Sequence, residues 1–238
     1  MARMTRPSSN QRQQYIALAV LSLGAAAATG ILWPSRGDYF RPYFGSINPL
    51  LAIVLVIVAG FVSLGFLQSR GWFEIYAKKK AGKGLAFAAT VATLLAIPVI
   101  LVDLTLGFPR DLNVPAPHSL LFYPAMALVA EIVFHAVPLG VLLTALGPIS
   151  RKLNPERMVW FCILPVALLE PGFQLGAVFS GKPLAWLDAY VGLHVFVINV
   201  LQLYVFRRYD FVSMISFRLV YYVHWHIVWG YLRLQLLF

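Results

Sequence analysis

Long apolar stretches recur along the whole chain, and their length is the feature that most constrains its fold. A helix that crosses a membrane needs about 20 predominantly apolar residues, and seven stretches are long enough. Their approximate bounds are 15–33, 49–68, 85–107, 119–149, 158–180, 186–206 and 211–237. The sequence therefore predicts an all-α protein, a polytopic transmembrane helical bundle of about seven spans. The first stretch has no clear cleavage site, so we expect a retained helix and not a signal peptide.

The composition agrees with a membrane protein and favours a single domain. Hydrophobic residues make up 60% of the chain and charged residues 12%, against about 25% charged residues in ordinary soluble domains. The lone cysteine, Cys162, excludes an internal disulfide framework and a metal-binding cysteine pair. Linkers are short and no internal repeat is visible, so we expect one domain over 1–238, with three spans in 1–118 and the rest in 119–238.

Basic residues are distributed unevenly between the loops, and this asymmetry predicts the orientation. With the N-terminus inside, thirteen of them are cytoplasmic: Arg3, Arg6, Arg12, Arg70, Lys78, Lys79, Lys80, Lys83, Arg151, Lys152, Arg157, Arg207 and Arg208. The opposite side holds four: Arg36, Arg41, Arg110 and Lys182. Because cytoplasmic loops carry an excess of Lys and Arg, we expect an integral membrane protein with a cytoplasmic N-terminus and an exterior C-terminus.

The net charge of +10 is carried mostly by these cytoplasmic loops. An anionic leaflet attracts each basic residue near its surface by about 1 kcal/mol, so we expect membrane lipids as partners and no nucleic acid. Between the second and third spans, Trp72, Phe73, Ile75 and Tyr76 precede a lysine cluster. This pattern is typical of an interfacial helix or, alternatively, of a charged loop with an aromatic anchor.

Three ionisable side chains interrupt apolar stretches and indicate where function resides. A charge at mid-bilayer costs about 2.5 kcal/mol or more on insertion scales, so such residues usually face a protein interior or a watery cavity. Glu131 and His135 lie 12 and 16 residues from the exterior end of the fourth stretch, on one helix face. Glu170 lies 12 residues from the cytoplasmic end of the fifth, which places it at a similar depth. Pro165 and Pro171 flank it and free backbone carbonyls.

Further polar residues in the last two stretches predict a polar cavity between the fourth to seventh spans. The sixth stretch contains His194, Asn199 and Gln202, and the seventh contains Arg218, Tyr222, His224 and His226. Two structural alternatives stay open, since Glu131 and His135 could be a buried pair that holds helices together and Glu170 could pair with Arg218. His224 and His226 point to roughly opposite sides of a helix, so at most one faces the cavity.

The order of these segments resembles the membrane-embedded CAAX protease and bacteriocin-processing (CPBP, or ABI) family, which includes prenyl-protein CAAX endopeptidases. That family carries EExxxR in an apolar helix, then a histidine in a phenylalanine-rich helix, and HxxxN near the end. The stretch AEIVFHAVPLGVLL resembles the first motif, VWFCILPVALLEPGF the second and LQLYVFRRYDFVSMISFRLVYY the third. The resemblance covers about 120–238 and implies a CPBP-like core.

The chain departs from the family motifs at most of their functional positions. Ala130 stands at the first glutamate of EExxxR, Glu131 matches the second, and His135 replaces the arginine. Glu170 stands where the second motif has histidine. Arg218 and Tyr222 fall where HxxxN would be. The resemblance therefore leaves two expectations open, a relative with a rearranged site and a scaffold that keeps the fold without the chemistry.

The resemblance implies an intramembrane endopeptidase that hydrolyses a prenylated or membrane peptide. In that mechanism a carboxylate activates water while a histidine and an asparagine stabilise the oxyanion. The expected catalytic candidates are Glu131 or Glu170 as base, with His135, His194 or His224 polarising the carbonyl. Asn199, Arg218 and Tyr222 are expected as polar partners of the substrate or the structure.

Two other functions are consistent with the same residues. Glu131, His135, Glu170 and one further histidine would supply a mixed nitrogen and oxygen set of the kind zinc or iron accepts. No HExxH motif is present, so we expect no cofactor and keep a divalent metal as the alternative. A non-catalytic scaffold would use the cavity to bind a lipid, a lipidated peptide or another membrane protein subunit.

Overall fold

The computed structural model describes residues 9–146, 155–178 and 186–238, and all regular structure in these ranges is helical. The main helices are α1 (Ser9–Arg36), α2 (Pro49–Ser69), α3 (Ala81–Leu106), α4 (Ser119–Ala145), α5 (155–178), α6 (Trp186–Arg208) and α7 (211–236). A 3₁₀ helix, Gly37–Phe40, and a short helix, Arg41–Phe44, follow α1. In this part of the chain six helices, α1 to α6, are long and apolar enough to cross a membrane. The prediction of an all-α, multi-pass membrane protein is thus confirmed.

Some of the predicted cytoplasmic charge falls on residues that the structure does not describe. Residues 1–8 and 147–154 lie outside the described ranges, and so does 179–185 with the predicted exterior Lys182. The ends predicted for the fourth and fifth spans, 149 and 180, fall there too.

Local sequence signals fix the ends of the helices. The Asn48 side chain accepts a hydrogen bond from the backbone N–H of Leu50 at 2.9 Å, and Pro49 takes the first helical position of α2. Such an N-cap and a proline at this position satisfy or remove backbone donors that have no partner in the helix. α3 ends at Gly107, which has a φ of 71°, a conformation that favours glycine.

Two of the helices contain a π-helical segment, Glu131–Ala136 within α4 and Val223–Trp229 within α7. Such wide turns are rare and occur frequently at functional sites. The segment in α4 contains both Glu131 and His135, so the candidate residues lie where the regular hydrogen-bond pattern is broken.

α5 is divided at Leu168, two residues before Glu170, and the sequence explains the break. Pro171 has no N–H, so the carbonyl of Ala167 loses its helical donor. The side chain of Asn199 on α6 replaces it, donating from Nδ2 to the Ala167 carbonyl at 3.2 Å. The break therefore links α5 to α6 at the Ala167 carbonyl, three residues before Glu170.

Small residues let α3 and α7 approach closely. Ala88, Ala92 and Ala96 recur at helical spacing along the buried face of α3, and the first half of α7 packs on this helix. At Gly84 a Cβ atom would lie 2.9 Å from Tyr209 Cβ and even closer to the Ser213 hydroxyl. Small residues at helix interfaces allow this backbone proximity.

The segment 70–80 closes one end of the bundle without forming a helix. Phe73 and Ile75 are buried, while the following lysines are exposed. The Ile75 N–H donates to Gln14 at 2.8 Å, and the Ala77 N–H donates to the Asp210 carboxylate, also at 2.8 Å. The interfacial-helix alternative is therefore wrong here, because these apolar side chains pack into the bundle.

Candidate functional site

Glu131 lies at the centre of a buried polar cluster and is 0% exposed. Its Oε2 accepts a hydrogen bond from Nδ1 of His135 at 2.6 Å, one turn along α4. Its Oε1 accepts from Nε of Arg218 on α7 at 2.5 Å and from the side-chain amide of Gln202 on α6. Both carboxylate oxygens are thus occupied by donors from three helices.

Arg218 connects Glu131 to the second buried carboxylate. Its Nη1 and Nη2 donate to Oε1 and Oε2 of Glu170 at 2.8 Å each, a bidentate geometry that is strong among charge-assisted hydrogen bonds. Nη2 also donates to Oε1 of Gln202 at 3.1 Å, and Nη1 donates to the Tyr222 hydroxyl at 3.3 Å. The predicted pairing of Glu170 with Arg218 is confirmed.

We call this set the Arg218 cluster: Glu131, His135, Glu170, Asn199, Gln202, Arg218 and Tyr222. Asn199 belongs to it because its Oδ1 lies 3.4 Å from Nη2 of Arg218. The cluster joins α4, α5, α6 and α7 at one level of the bundle. Its charges are satisfied mutually, as buried charges must be to avoid a large desolvation cost.

One nitrogen of the cluster is an exception. Nε2 of His135 is buried and has no hydrogen-bond partner among the described residues. Since the side chain is 0% exposed, this nitrogen is also shielded from bulk solvent. His135 therefore acts through Nδ1, which orients it on Glu131.

A cavity of about 190 Å³ borders the cluster at Glu170, Arg218 and Tyr222. Its polar wall contains Glu170, Gln174 and Arg218, and we call this space the inner cavity. Its apolar wall comprises Val99, Phe108, Leu112, Val191, Val195, Ile198 and Trp225. Glu131 does not line the inner cavity, so Glu170 is the carboxylate of the cluster that borders free space.

His194 lies beside the inner cavity and not in the Arg218 cluster. Its Nε2 is 3.0 Å from the hydroxyl of Tyr221, and its ring stacks on Tyr190 with a centroid distance of 5.6 Å. The hydroxyl of Tyr190 is buried and has no hydrogen-bond partner in the described part of the chain. His194 and Tyr190 thus present polar atoms close to an otherwise apolar wall.

The structure separates His224 from the residues with which the sequence grouped it. Its Nε2 lies 3.0 Å from the Thr93 hydroxyl of α3, and it is absent from the lining of the inner cavity. His226 faces the cavity instead. Side chains two positions apart on a helix point to roughly opposite sides. The expectation that at most one of the pair faces the cavity is confirmed, but that residue is His226 and not the catalytic candidate His224.

The cluster does not have the geometry of a metal centre. Within the described ranges no three His, Cys, Asp or Glu side chains are placed to hold one ion. The guanidinium of Arg218 lies between Glu131 and Glu170 and donates to both. A cation is therefore already present where a metal would need these oxygens.

A second buried ion pair was not predicted from the sequence. Asp103 on α3 receives hydrogen bonds from Arg233 on α7 at 2.7 and 2.9 Å and from the indole of Trp229 at 2.7 Å. Arg233 is fully buried and also donates to the carbonyl of Phe108 at 2.7 Å. One sequence signal could have revealed this pair: Arg233 lies in an apolar helix, and a buried arginine requires a carboxylate at the same depth.

Comparison with known proteins gives no relative for this chain. No family model matches it, no curated protein matches it, and no solved structure matches it.

Proposed function

We propose that this chain is a seven-span membrane protein with a CPBP-like core whose site binds a ligand without hydrolysing it. The three stretches that resemble the family motifs contribute Glu131, Glu170 and Arg218, and these side chains are in direct contact. This convergence supports a common origin of the core, and the substitutions support a changed role.

The seventh span of this proposal is α7. At about 1.5 Å per residue, the continuous helix 211–236 is long enough for a hydrocarbon core of about 30 Å. Its two arginines are paired with carboxylates of other helices, which lowers the cost of burying them. With the excess of basic residues on one side, the N-terminus is cytoplasmic and the C-terminus exterior.

One observation carries the non-catalytic assignment: both oxygens of Glu131 are occupied and the side chain is sealed from the inner cavity. A general base must be within hydrogen-bond reach of the proton that it takes. The Glu170–Arg218 pair, in contrast, forms the polar end of a mainly apolar space. This space suits the apolar chain of a lipid or a lipidated peptide.

A second candidate function is peptide hydrolysis with Glu170 as the base. It is favoured by one observation, that Glu170 and His194 line the same cavity. A water between them would be activated by the carboxylate while the histidine polarises a carbonyl. The substrate would be a prenylated or membrane peptide.

A photolabelling experiment tests the binding function. The protein in lipid nanodiscs is exposed to a diazirine-bearing fatty acid and, separately, to a diazirine-bearing farnesylated peptide. Labelling should map to the walls of the inner cavity, and the stronger label distinguishes a lipid from a lipidated peptide. Val195→Trp fills the cavity and should abolish labelling, whereas Leu193→Trp on the same helix, at a position 64% exposed, should not.

The same preparation separates the two candidate functions. Binding without cleavage of the farnesylated peptide supports the scaffold. Cleavage that is kept in Leu193→Trp, but lost in a Glu170→Gln protein that remains folded and is still labelled in the inner cavity, would establish the protease and overturn the non-catalytic assignment. Labelling that is equal in wild type and Val195→Trp would overturn the inner cavity as the binding site.

A further inference from the structure

A second and larger space, of about 860 Å³, lies beside the inner cavity, and we call it the outer cavity. It is enclosed by residues that follow α1, by the connection between α3 and α4, and by the start of α4. Its lining is Asp38, Tyr39, Pro42, Tyr43, Arg110, Asp111, Leu112, Asn113, Val114, Pro115, Phe122, Tyr123 and Leu234. Aromatic and acidic side chains thus surround one pocket.

Hydrogen bonds hold two of the aromatic rings in place. The Tyr39 hydroxyl lies 3.3 Å from Nδ1 of His118. The Tyr123 hydroxyl accepts from the N–H of Val114 at 2.9 Å and donates to Asn113 at 3.3 Å. Because these hydroxyls are fixed, the faces of the rings are positioned before any ligand binds, which lowers the entropic cost of binding.

The charges of the outer cavity favour a cation. Asp38 and Asp111 are exposed, and neither forms an ion pair within the described ranges. The guanidinium of Arg110 lies 5.9 Å from the centre of the Phe238 ring and so has an aromatic partner of its own. Aromatic faces combined with carboxylates bind ammonium groups, and quaternary ammonium groups in particular.

The outer and inner cavities are adjacent. Leu112 lines both of them. Asn113 of the outer cavity accepts a hydrogen bond at 2.6 Å from His226 of the inner one. One elongated molecule can therefore occupy both spaces if Leu112 and this hydrogen bond give way.

We infer that the outer cavity binds the cationic head, an amine or quaternary ammonium, of an amphipathic ligand whose chain enters the inner cavity. The placement of the ligand's chain in the inner cavity rests on the proposed function. The placement of its cationic head rests only on the residues of the outer cavity, so an experiment can contradict one placement and leave the other intact.

Calorimetric titration of the protein in nanodiscs, with empty nanodiscs as the reference, tests both parts. Tetramethylammonium probes the outer cavity alone. Hexyltrimethylammonium and hexanesulfonate share one chain length and differ in the charge of the head. We expect tetramethylammonium to bind weakly. The hexyl cation should bind at least about tenfold more tightly than tetramethylammonium, because its chain enters the inner cavity. Hexanesulfonate should bind at least about tenfold more weakly than the hexyl cation, because its head is negatively charged.

Variants of each cavity show which part of the ligand that cavity binds. Asp38→Asn with Asp111→Asn changes exposed side chains and should weaken both cations about tenfold without changing thermal unfolding. Glu74→Gln removes an exposed carboxylate of the 70–80 segment and is the matched control. Val195→Trp should reduce the affinity of the hexyl cation to that of tetramethylammonium.

Two outcomes overturn different statements. If the hexyl cation and hexanesulfonate bind equally, and the aspartate variant changes neither, the cationic head site is wrong while the inner cavity stands. If tetramethylammonium binds and responds to the aspartates, but the hexyl chain and Val195→Trp have no effect, the head site stands and the proposed chain site fails.

Discussion

Arg218 is the residue on which four helices converge, since its guanidinium donates to partners on α4, α5 and α6 while it belongs to α7. Replacing a buried ion pair with apolar residues is often neutral, but removing one partner is strongly destabilising. The stability of the bundle should therefore depend on which member of the cluster is changed, and in what combination.

Glu170→Gln should destabilise the protein by about 3 kcal/mol, because it leaves Arg218 with a single carboxylate in an apolar interior. Unfolding in mixed micelles with increasing denaturant measures this change. Glu74→Gln breaks only the exposed 3.3 Å contact with Lys80 and should cost about 1 kcal/mol or less. Equal losses in the two variants would contradict the ion-pair assignment.

Glu131→Gln tests whether the central carboxylate is structural or functional. The amide keeps the size of the side chain but loses the charge, and it offers a donor where His135 also donates. We expect a loss of about 3 kcal/mol of stability, measured as above. If the variant folded normally and lost only ligand binding or hydrolysis, Glu131 would be functional and the proposal would need revision.

At the scale of the helix, the break in α5 is coupled to Asn199 of α6. The proline removes a donor in one helix, and an amide of another helix restores it. This hydrogen bond links α5 to α6 three residues before Glu170, and its role can be tested by replacing Asn199 and Pro171 in turn.

Asn199→Leu should destabilise the bundle by about 1–3 kcal/mol, because the Ala167 carbonyl is left buried without a donor. Adding Pro171→Ala supplies a backbone N–H four residues after Ala167 and should recover much of that loss. The double-mutant cycle measures the coupling between the two positions. Strictly additive effects would show that the proline and the amide are independent.

The α3–α7 interface provides a matched pair of glycines. Gly84→Ala should cost about 1–3 kcal/mol, because its Cβ would clash with Ser213 and Tyr209. Gly82→Ala meets no atom within 4 Å and should be neutral or stabilising by up to about 1 kcal/mol. Thermal unfolding of both variants measures the difference, and a stable Gly84→Ala protein would contradict this close packing.

At the scale of the whole molecule, the helices were predictable because span length follows directly from the apolar runs. The Glu170–Arg218 contact was predictable too, since two charges at depth need partners. The remaining contacts depend on how helices rotate against each other, which spacing within one helix does not specify. For this reason Gln202 was noted but not assigned to the site, Asp103 was not paired with Arg233, and His224 was chosen as a candidate where His226 faces the cavity.

The orientation remains a prediction that labelling can test. Lys78→Cys and Asp111→Cys introduce thiols at exposed positions, whereas the native Cys162 is buried. A membrane-impermeant maleimide added to intact cells should label position 111 and not 78. Labelling at 78 alone would reverse the orientation and move the outer cavity to the cytoplasmic side.

The positions of the two arginines of α7 have a consequence for biogenesis. On insertion scales an arginine at the centre of a helix costs about 2.5–3.5 kcal/mol. Arg218 and Arg233 lie nearer the two ends of α7, and α7 is not among the six helices that are long and apolar enough to cross a membrane. Its arginines find their carboxylates on α3, α4 and α5, which are synthesised earlier. The proposed seventh span should therefore integrate only after the preceding helices have assembled. In a chain that lacks those carboxylates, we expect α7 to fail to insert.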